Sequence, residues 1–151
     1  MKWKSAGYSL LFIFVLLSLC SCGIHTIKPE FNLPDQNLHS NIDKNKTRVI
    51  FFNDSNMVIY GLDGSGKINV KLNGKALGSL KIHNYVQIYL DGGSYDLILA
   101  HWDMVTFESK YQINIGGDNV YIQVYSQPTS TAYQLVSELP EKFAQKYTPI
   151  Y

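Results

Sequence analysis

From Ala6 to Leu19 the chain is uncharged and dominated by Leu, Phe, Ile and Val, whereas from Thr47 onward its apolar residues come in short runs. These runs are rich in Val, Ile, Tyr and Phe. Clusters of Gly, Asn and Asp separate them roughly every 8 to 12 residues, the spacing of a sandwich or barrel. Arg48–Phe52 and Met57–Tyr60 are apolar runs around the polar cluster Asn53-Asp54-Ser55-Asn56, and Asp63-Gly64-Ser65-Gly66 reads as a turn. Lys67–Leu72 alternates Ile68, Val70 and Leu72 with polar residues. Asn73-Gly74 then suits a type I′ hairpin, whose two central positions both need φ > 0. Ala76–Lys81 is the expected return strand, followed by Tyr85–Leu90, the turn Asp91-Gly92-Gly93, and Tyr95–His101. Glu108–Ile115 and Val120–Tyr125 flank Gly116-Gly117-Asp118, which predicts a second hairpin, and Thr131–Val136 closes the β region. Pro140 suits the first turn of a short helix with Phe143 and Tyr147 on one face, expected to cap one end of the domain. Residues 47–151 therefore predict an all-β, immunoglobulin-like or transthyretin-like β-sandwich of about 7–9 strands with a short C-terminal helix.

The N-terminal apolar run is too short for a membrane span, which needs roughly 20 residues. Lys2 and Lys4 precede it and Leu19-Cys20-Ser21-Cys22-Gly23 follows it, the order of an export signal. The small Ser21 before Cys22, with Leu19 three positions back, resembles the lipoprotein box of bacteria, whereas Leu19 before Cys20 fits it poorly. The expectation is a signal peptide over 1–21 and lipidation at Cys22. What the resemblance implies is a thioether-linked diacylglycerol on the sulfur and an acyl chain on the new amine, more than one chain and hence a stable anchor. Gly23, which is not Asp, favours outer-membrane sorting under the rule of enteric bacteria. A cleaved signal that releases a soluble periplasmic protein and an uncleaved signal anchor are the competing readings.

Composition narrows the field further. Lys2 and Lys4 are the only charges ahead of Cys22, so processing leaves a balance of 13 basic and 12 acidic residues in the full chain close to neutral. This favours neither a nucleic-acid nor a nucleotide partner. Processing also removes Cys20, so no disulfide is expected and the core alone must hold the fold. Residues 22–46 are polar, carry Pro29 and Pro34, and sustain no period, which reads as a flexible tether; the alternative is that Phe31 and Leu33 dock on the domain.

Val70-Lys71-Leu72-Asn73-Gly74-Lys75-Ala76-Leu77-Gly78-Ser79-Leu80 and Asp91-Gly92-Gly93-Ser94-Tyr95-Asp96-Leu97 resemble the core of an uncharacterised domain family common in bacterial lipoproteins and, more loosely, PEGA modules. Both are small β-sandwiches. Where that family has Pro-Gly and a following His, this chain has Asp91-Gly92-Gly93 and Tyr95. Its later Gly-Lys-x-Tyr-Tyr segment stands here as Gly117-Asp118-Asn119-Val120-Tyr121. The resemblance implies a fold and transfers no catalytic residue.

Gly61-Leu62-Asp63-Gly64-Ser65-Gly66-Lys67 has the spacing of a phosphate loop. Ile68 stands where that motif needs a hydroxyl, and a strand pattern follows where it needs a helix, so a turn is expected. His25, His39, His83 and His101 show no metal-ligand spacing, and no Gly-x-Ser-x-Gly elbow supplies a nucleophile. Neither catalytic residues nor cofactors are therefore expected. One pattern points outward: Tyr85-Val86-Gln87-Ile88-Tyr89 and Tyr121-Ile122-Gln123-Val124-Tyr125 place Tyr85, Gln87, Tyr89, Tyr121, Gln123 and Tyr125 opposite their aliphatic neighbours. This face reads either as a protein or glycan contact surface or as cross-strand pairs stiffening a wet sheet. The expected whole is a non-enzymatic lipoprotein of the bacterial outer membrane, facing the periplasm and held by acylated Cys22, that serves an envelope assembly through a protein partner. The alternative is a glycan- or peptidoglycan-binding module.

Overall fold

The computed structural model describes residues 25–31, 33, 45–60, 66–102 and 105–150. The chain is an all-β sandwich with two short helices. Its elements are β1 (Thr47–Asn53), α1 (Met57–Tyr60), β2 (Ile68–Leu72), β3 (Lys75–Leu80), β4 (Asn84–Leu90), β5 (Gly93–Trp102), β6 (Thr106–Ile115), β7 (Asn119–Gln127), β8 (Ser130–Val136), α2 (Phe143–Lys146) and β9 (Thr148–Pro149). One sheet has the order β8-β7-β1-β4-β9 and the other β3-β2-β5-β6. β1 runs parallel to β7, and β4 parallel to β9; the other pairs are antiparallel.

The period-2 residues of both sheets meet in the main core. Val86, Ile88 and Leu90 of β4 are buried there, while Tyr85, Gln87 and Tyr89 between them stay half-buried on the outer side. β1 departs from alternation. Val49 and Phe51 enter the main core, but Ile50 and Phe52 are equally buried on the outer face, in a second cluster with Tyr147. Strand β1 is thus covered on both faces.

That second cluster places the C-terminal helix differently from the sequence expectation. α2 lies on the outer face of the five-stranded sheet and does not cap an end of the sandwich. Phe143 and Tyr147 stack at 4.6 Å between ring centroids, and Phe52 meets them edge-on at 5.6 and 5.3 Å. The reason is apolar area: Ile50 and Phe52 point outward from a central strand, and burying each stabilises by about 1.5–3 kcal/mol.

Two further local expectations change. Met57–Tyr60 is a single helical turn, because the Asn56 side-chain oxygen accepts the N–H groups of Val58 at 2.9 Å and Ile59 at 3.3 Å and so caps the turn. Gly116-Gly117-Asp118 does not close a hairpin; it carries the chain from β6 in one sheet to β7 in the other. There the Asp118 carbonyl accepts the Arg48 N–H at 3.0 Å and the Gly117 carbonyl accepts the Thr47 hydroxyl at 2.6 Å, which seats β7 beside β1. Positive φ at Gly117 made the turn, but the two inward apolar faces decided which sheet each strand joined. At Asn73-Gly74 the hairpin forms as expected, with φ of 47° and 78°.

Phe31 and Leu33 pack against the main core, as the docking alternative expects. The residues before them lie along β3. Glu30 N–H donates to the Ala76 carbonyl at 2.8 Å, the Glu30 carboxylate accepts the Ala76 N–H at 2.6 Å, and Ile27 N–H donates to Ser79 Oγ at 2.9 Å. At Gly78, φ 132°, an added Cβ would stand 2.6 Å from Ile150 Cδ1 and 3.5 Å from Pro29 Cγ. The N-terminal strap and the C-terminus therefore meet over this glycine.

The end of β1 is fixed by buried polar groups that satisfy one another. Asn53 Nδ2 donates to the carbonyls of Gly66 at 2.6 Å and Leu80 at 2.9 Å, while its Oδ1 accepts the Ser55 N–H and hydroxyl. Ser55 Oγ in turn accepts the Ser126 N–H at 2.9 Å. Asn53→Ala would leave several of these buried groups unmatched, each costing about 1–3 kcal/mol. The expected loss is about 2–4 kcal/mol in urea denaturation with an unchanged m-value; a loss below 1 kcal/mol would show that the network does not hold this end together.

Candidate functional site

The outer face of the five-stranded sheet carries all six residues singled out by their alternation, but it does not make one patch of them. β1 separates β4 from β7. Across the face Tyr85, Phe52, Gln123 and Gln134 form one row, Gln87, Ile50, Tyr121 and Val136 the next, and Tyr89, Arg48 and Asn119 a third. Tyr125 lies one row beyond the first, opposite Ala132. Tyr89 and Tyr125 are therefore three rows apart, roughly 20 Å at two residues per row.

The middle of the face is occupied. Tyr85 packs against Phe143 at 5.1 Å between centroids, and both Tyr85 and Tyr121 lean on the Ile50, Phe52 and Tyr147 cluster together with Val136 and Leu139. The half-exposed remainder is polar around Tyr89. Arg48 Nε donates to Gln87 Oε1 at 2.9 Å, and Gln87 Nε2 donates to the Tyr89 hydroxyl at 3.2 Å.

Beside this face stands a polar cluster that sequence reading passed over, because Asn53-Asp54-Ser55-Asn56 had the composition of an ordinary turn. Asp54 Oδ1 accepts Lys146 Nζ at 2.7 Å and the Tyr147 hydroxyl at 2.6 Å, and its Oδ2 accepts Gln123 Nε2 at 3.2 Å. Burial pushes the Asp54 carboxyl upward, but the hydrogen bonds from Lys146 and Tyr147 and the charges of Lys146 and His83 outweigh it, leaving its pKa below the usual value. Burial, and then the hydrogen bond to Asp54 and its charge, push the Tyr147 phenol above its ordinary range. A carboxylate engaged by three donors and a phenol held protonated make a latch that fastens α2 to β1 and β7.

His101 is fully buried on β5, its Nδ1 2.9 Å from Thr131 Oγ1 and its ring stacked on Phe107 at 5.4 Å. His83 sits edge-on to Tyr147 at 5.5 Å. Among the described residues no three His, Cys, Asp or Glu side chains come together as a metal site. A hollow of about 370 Å³ on β5 and β6 is lined by Asp96, Lys110, Tyr111 and Gln112 among others. Cys22, the signal region, His39 and Gly61–Ser65 lie outside the described residues; Gly66 and Lys67 lead directly into β2. No helix among the described residues is long and apolar enough to cross a membrane. Comparison with family models, with curated proteins and with solved structures finds no match.

The latch sets two pH limits. Asp54 has a depressed pKa in the folded state, so its contribution is present above the ordinary carboxylate value of about 3.9 and is lost as pH falls through the folded value. Tyr147 has a raised pKa, so its contribution is present below about pH 10 and is lost as pH rises beyond it. Thermal melts between acid and neutral pH should show a shallower acid fall in Asp54→Asn than in the parent; identical slopes would remove Asp54 from the account.

Proposed function

We propose that the chain is a non-enzymatic lipoprotein of the bacterial outer membrane. It faces the periplasm, is held by acyl chains on Cys22, and contributes a rigid sandwich to an envelope assembly through a protein partner. The observation that carries this reading is the order of Lys2 and Lys4, the uncharged run from Ala6 to Leu19, and Ser21-Cys22. The polar clusters of the domain are consistent with a structural role, since Asn53 and Asp54 spend their hydrogen bonds on joining strands.

The outer sheet face supports a protein partner better than a stacked glycan. Tyr85 packs on Phe143 and, like Tyr121, against the Ile50, Phe52 and Tyr147 cluster, which leaves Tyr89 with Gln87 and Arg48, and separately Tyr125, for contact. Isolated amphipathic tyrosines with polar neighbours suit the rim and core of a protein interface, whereas a sugar platform needs its rings free.

Cys22→Ser should move the protein from the membrane pellet to the soluble periplasmic fraction or leave it unprocessed; a mature protein that still pellets would overturn the anchor. On the sheet face, Tyr89→Ala should abolish an in vivo cross-link to a partner with no change in melting temperature. Tyr85→Ala should lower stability by about 1–3 kcal/mol through lost packing. The reverse pattern would overturn this division of the face.

A further inference from the structure

Among the described residues five large apolar side chains are exposed, and four of them, Met57, Val58, Ile59 and Val105, belong to one end of the sandwich. That end is defined by bonds. β1 finishes at Asn53, whose side chain reaches Gly66 and Leu80; Ser55 is joined to Ser126; and β2 begins at Ile68, opposite His101, just before the connection that holds Val105. Asp91, Asp96 and Asp118 lie at the other end, with the Asn73-Gly74 turn and the start of β1.

Single exposed apolar residues are ordinary. Three in succession on a clamped turn are not. Met57-Val58-Ile59 is fixed on one side by the Asn56 cap and the Asn53–Ser55 network. On the other it is fixed by buried Tyr60, whose carbonyl accepts the Gly66 N–H at 2.9 Å. Val58, 83% exposed, stands at the tip.

The path of the N-terminal strap says what covers this knuckle. From Glu30 back to His25 the chain runs from the start of β3 towards the start of β2, where the His25 carbonyl accepts Asn69 Nδ2 at 2.9 Å and Thr26 Oγ1 accepts Lys67 Nζ at 3.3 Å. The strap therefore leaves the domain at the knuckle's end. Cys22 is three residues further on, so at 3.8 Å per residue its Cα lies within roughly 11 Å of that of His25 whatever the conformation between them.

We infer that this end of the sandwich is seated on the bilayer that holds Cys22, with Met57, Val58 and Ile59 entering the boundary between headgroups and acyl chains. The inference rests on the lipoprotein reading and replaces a domain swinging on a tether with one docked end-on. Lys81, exposed at the same end, can meet lipid phosphates, while acidic Asp54 and Glu108 on that side are matched by Lys146 and Lys110. A short amphipathic element buried about 5–10 Å into the interface adds to the hold of the acyl chains.

The test uses the full mature protein, purified with its acyl chains and reconstituted into phosphatidylethanolamine and phosphatidylglycerol vesicles. Val58→Cys is labelled with an environment-sensitive fluorophore, and Leu135→Cys, exposed near the far end of β8, is the control. A blue shift and quenching by brominated lipid at position 58, with neither at 135, is the expected result. Protein that floats with the vesicles while the label at 58 stays in water overturns this inference and leaves the anchor standing. Shielding of 58 that requires a second envelope protein assigns the knuckle to a protein partner and likewise overturns it. Protein that does not float overturns both readings.

Discussion

The fold depends on the burial of β1 on both faces. Val49 and Phe51 close the space between the sheets, and Ile50 and Phe52, pointing the other way, form the base of a second cluster. A strand that is apolar on both sides must sit in the middle of a sheet, and here it lies between a parallel partner, β7, and an antiparallel one, β4. Its outer face also demands a cover, which the chain supplies from its own C-terminus. Phe143 and Tyr147 settle on Phe52, β9 pairs beside β4, and Asp54 holds Lys146 and Tyr147 in place. The C-terminal end of the domain is thereby locked to its first strand.

What could be read from the sequence followed from period 2 and from turn chemistry. Val86, Ile88 and Leu90, and likewise Ile122 and Val124, went inward as their alternation required, and Asn73-Gly74 made the hairpin that its two positive φ angles permit. What could not be read depends on distant partners. Arg48–Phe52 does not alternate, and nothing local says that its outer half will be covered by residues some 90 positions later. Gly116-Gly117-Asp118 has the chemistry of a hairpin turn, yet the strands around it belong to different sheets. Asp54 resembles any turn carboxylate until Lys146, Tyr147 and Gln123 are brought to it.

The tyrosine face shows the same limit. Alternation correctly put Tyr85, Gln87, Tyr89, Tyr121, Gln123 and Tyr125 on one side of the sheet, but it could not show that β1 would come between the two strands or that α2 would cover the centre. The exposed knuckle at Met57-Val58-Ile59 is the complementary case: an apolar run becomes a surface feature because Asn56 caps a helical turn. In the proposed arrangement the knuckle and the strap work together, since the hydrogen bonds to Asn69 and Ser79 shorten the effective leash from Cys22 and so orient the domain.

The whole functional account depends on lipid at Cys22. Intact-mass spectrometry of the protein extracted from membranes tests it most directly. The account predicts a polypeptide that begins at Cys22 and carries the added mass of a thioether-linked diacylglycerol and an amide-linked acyl chain. A chain that still begins at Met1, or one that begins at Cys22 with an unmodified thiol, would contradict it.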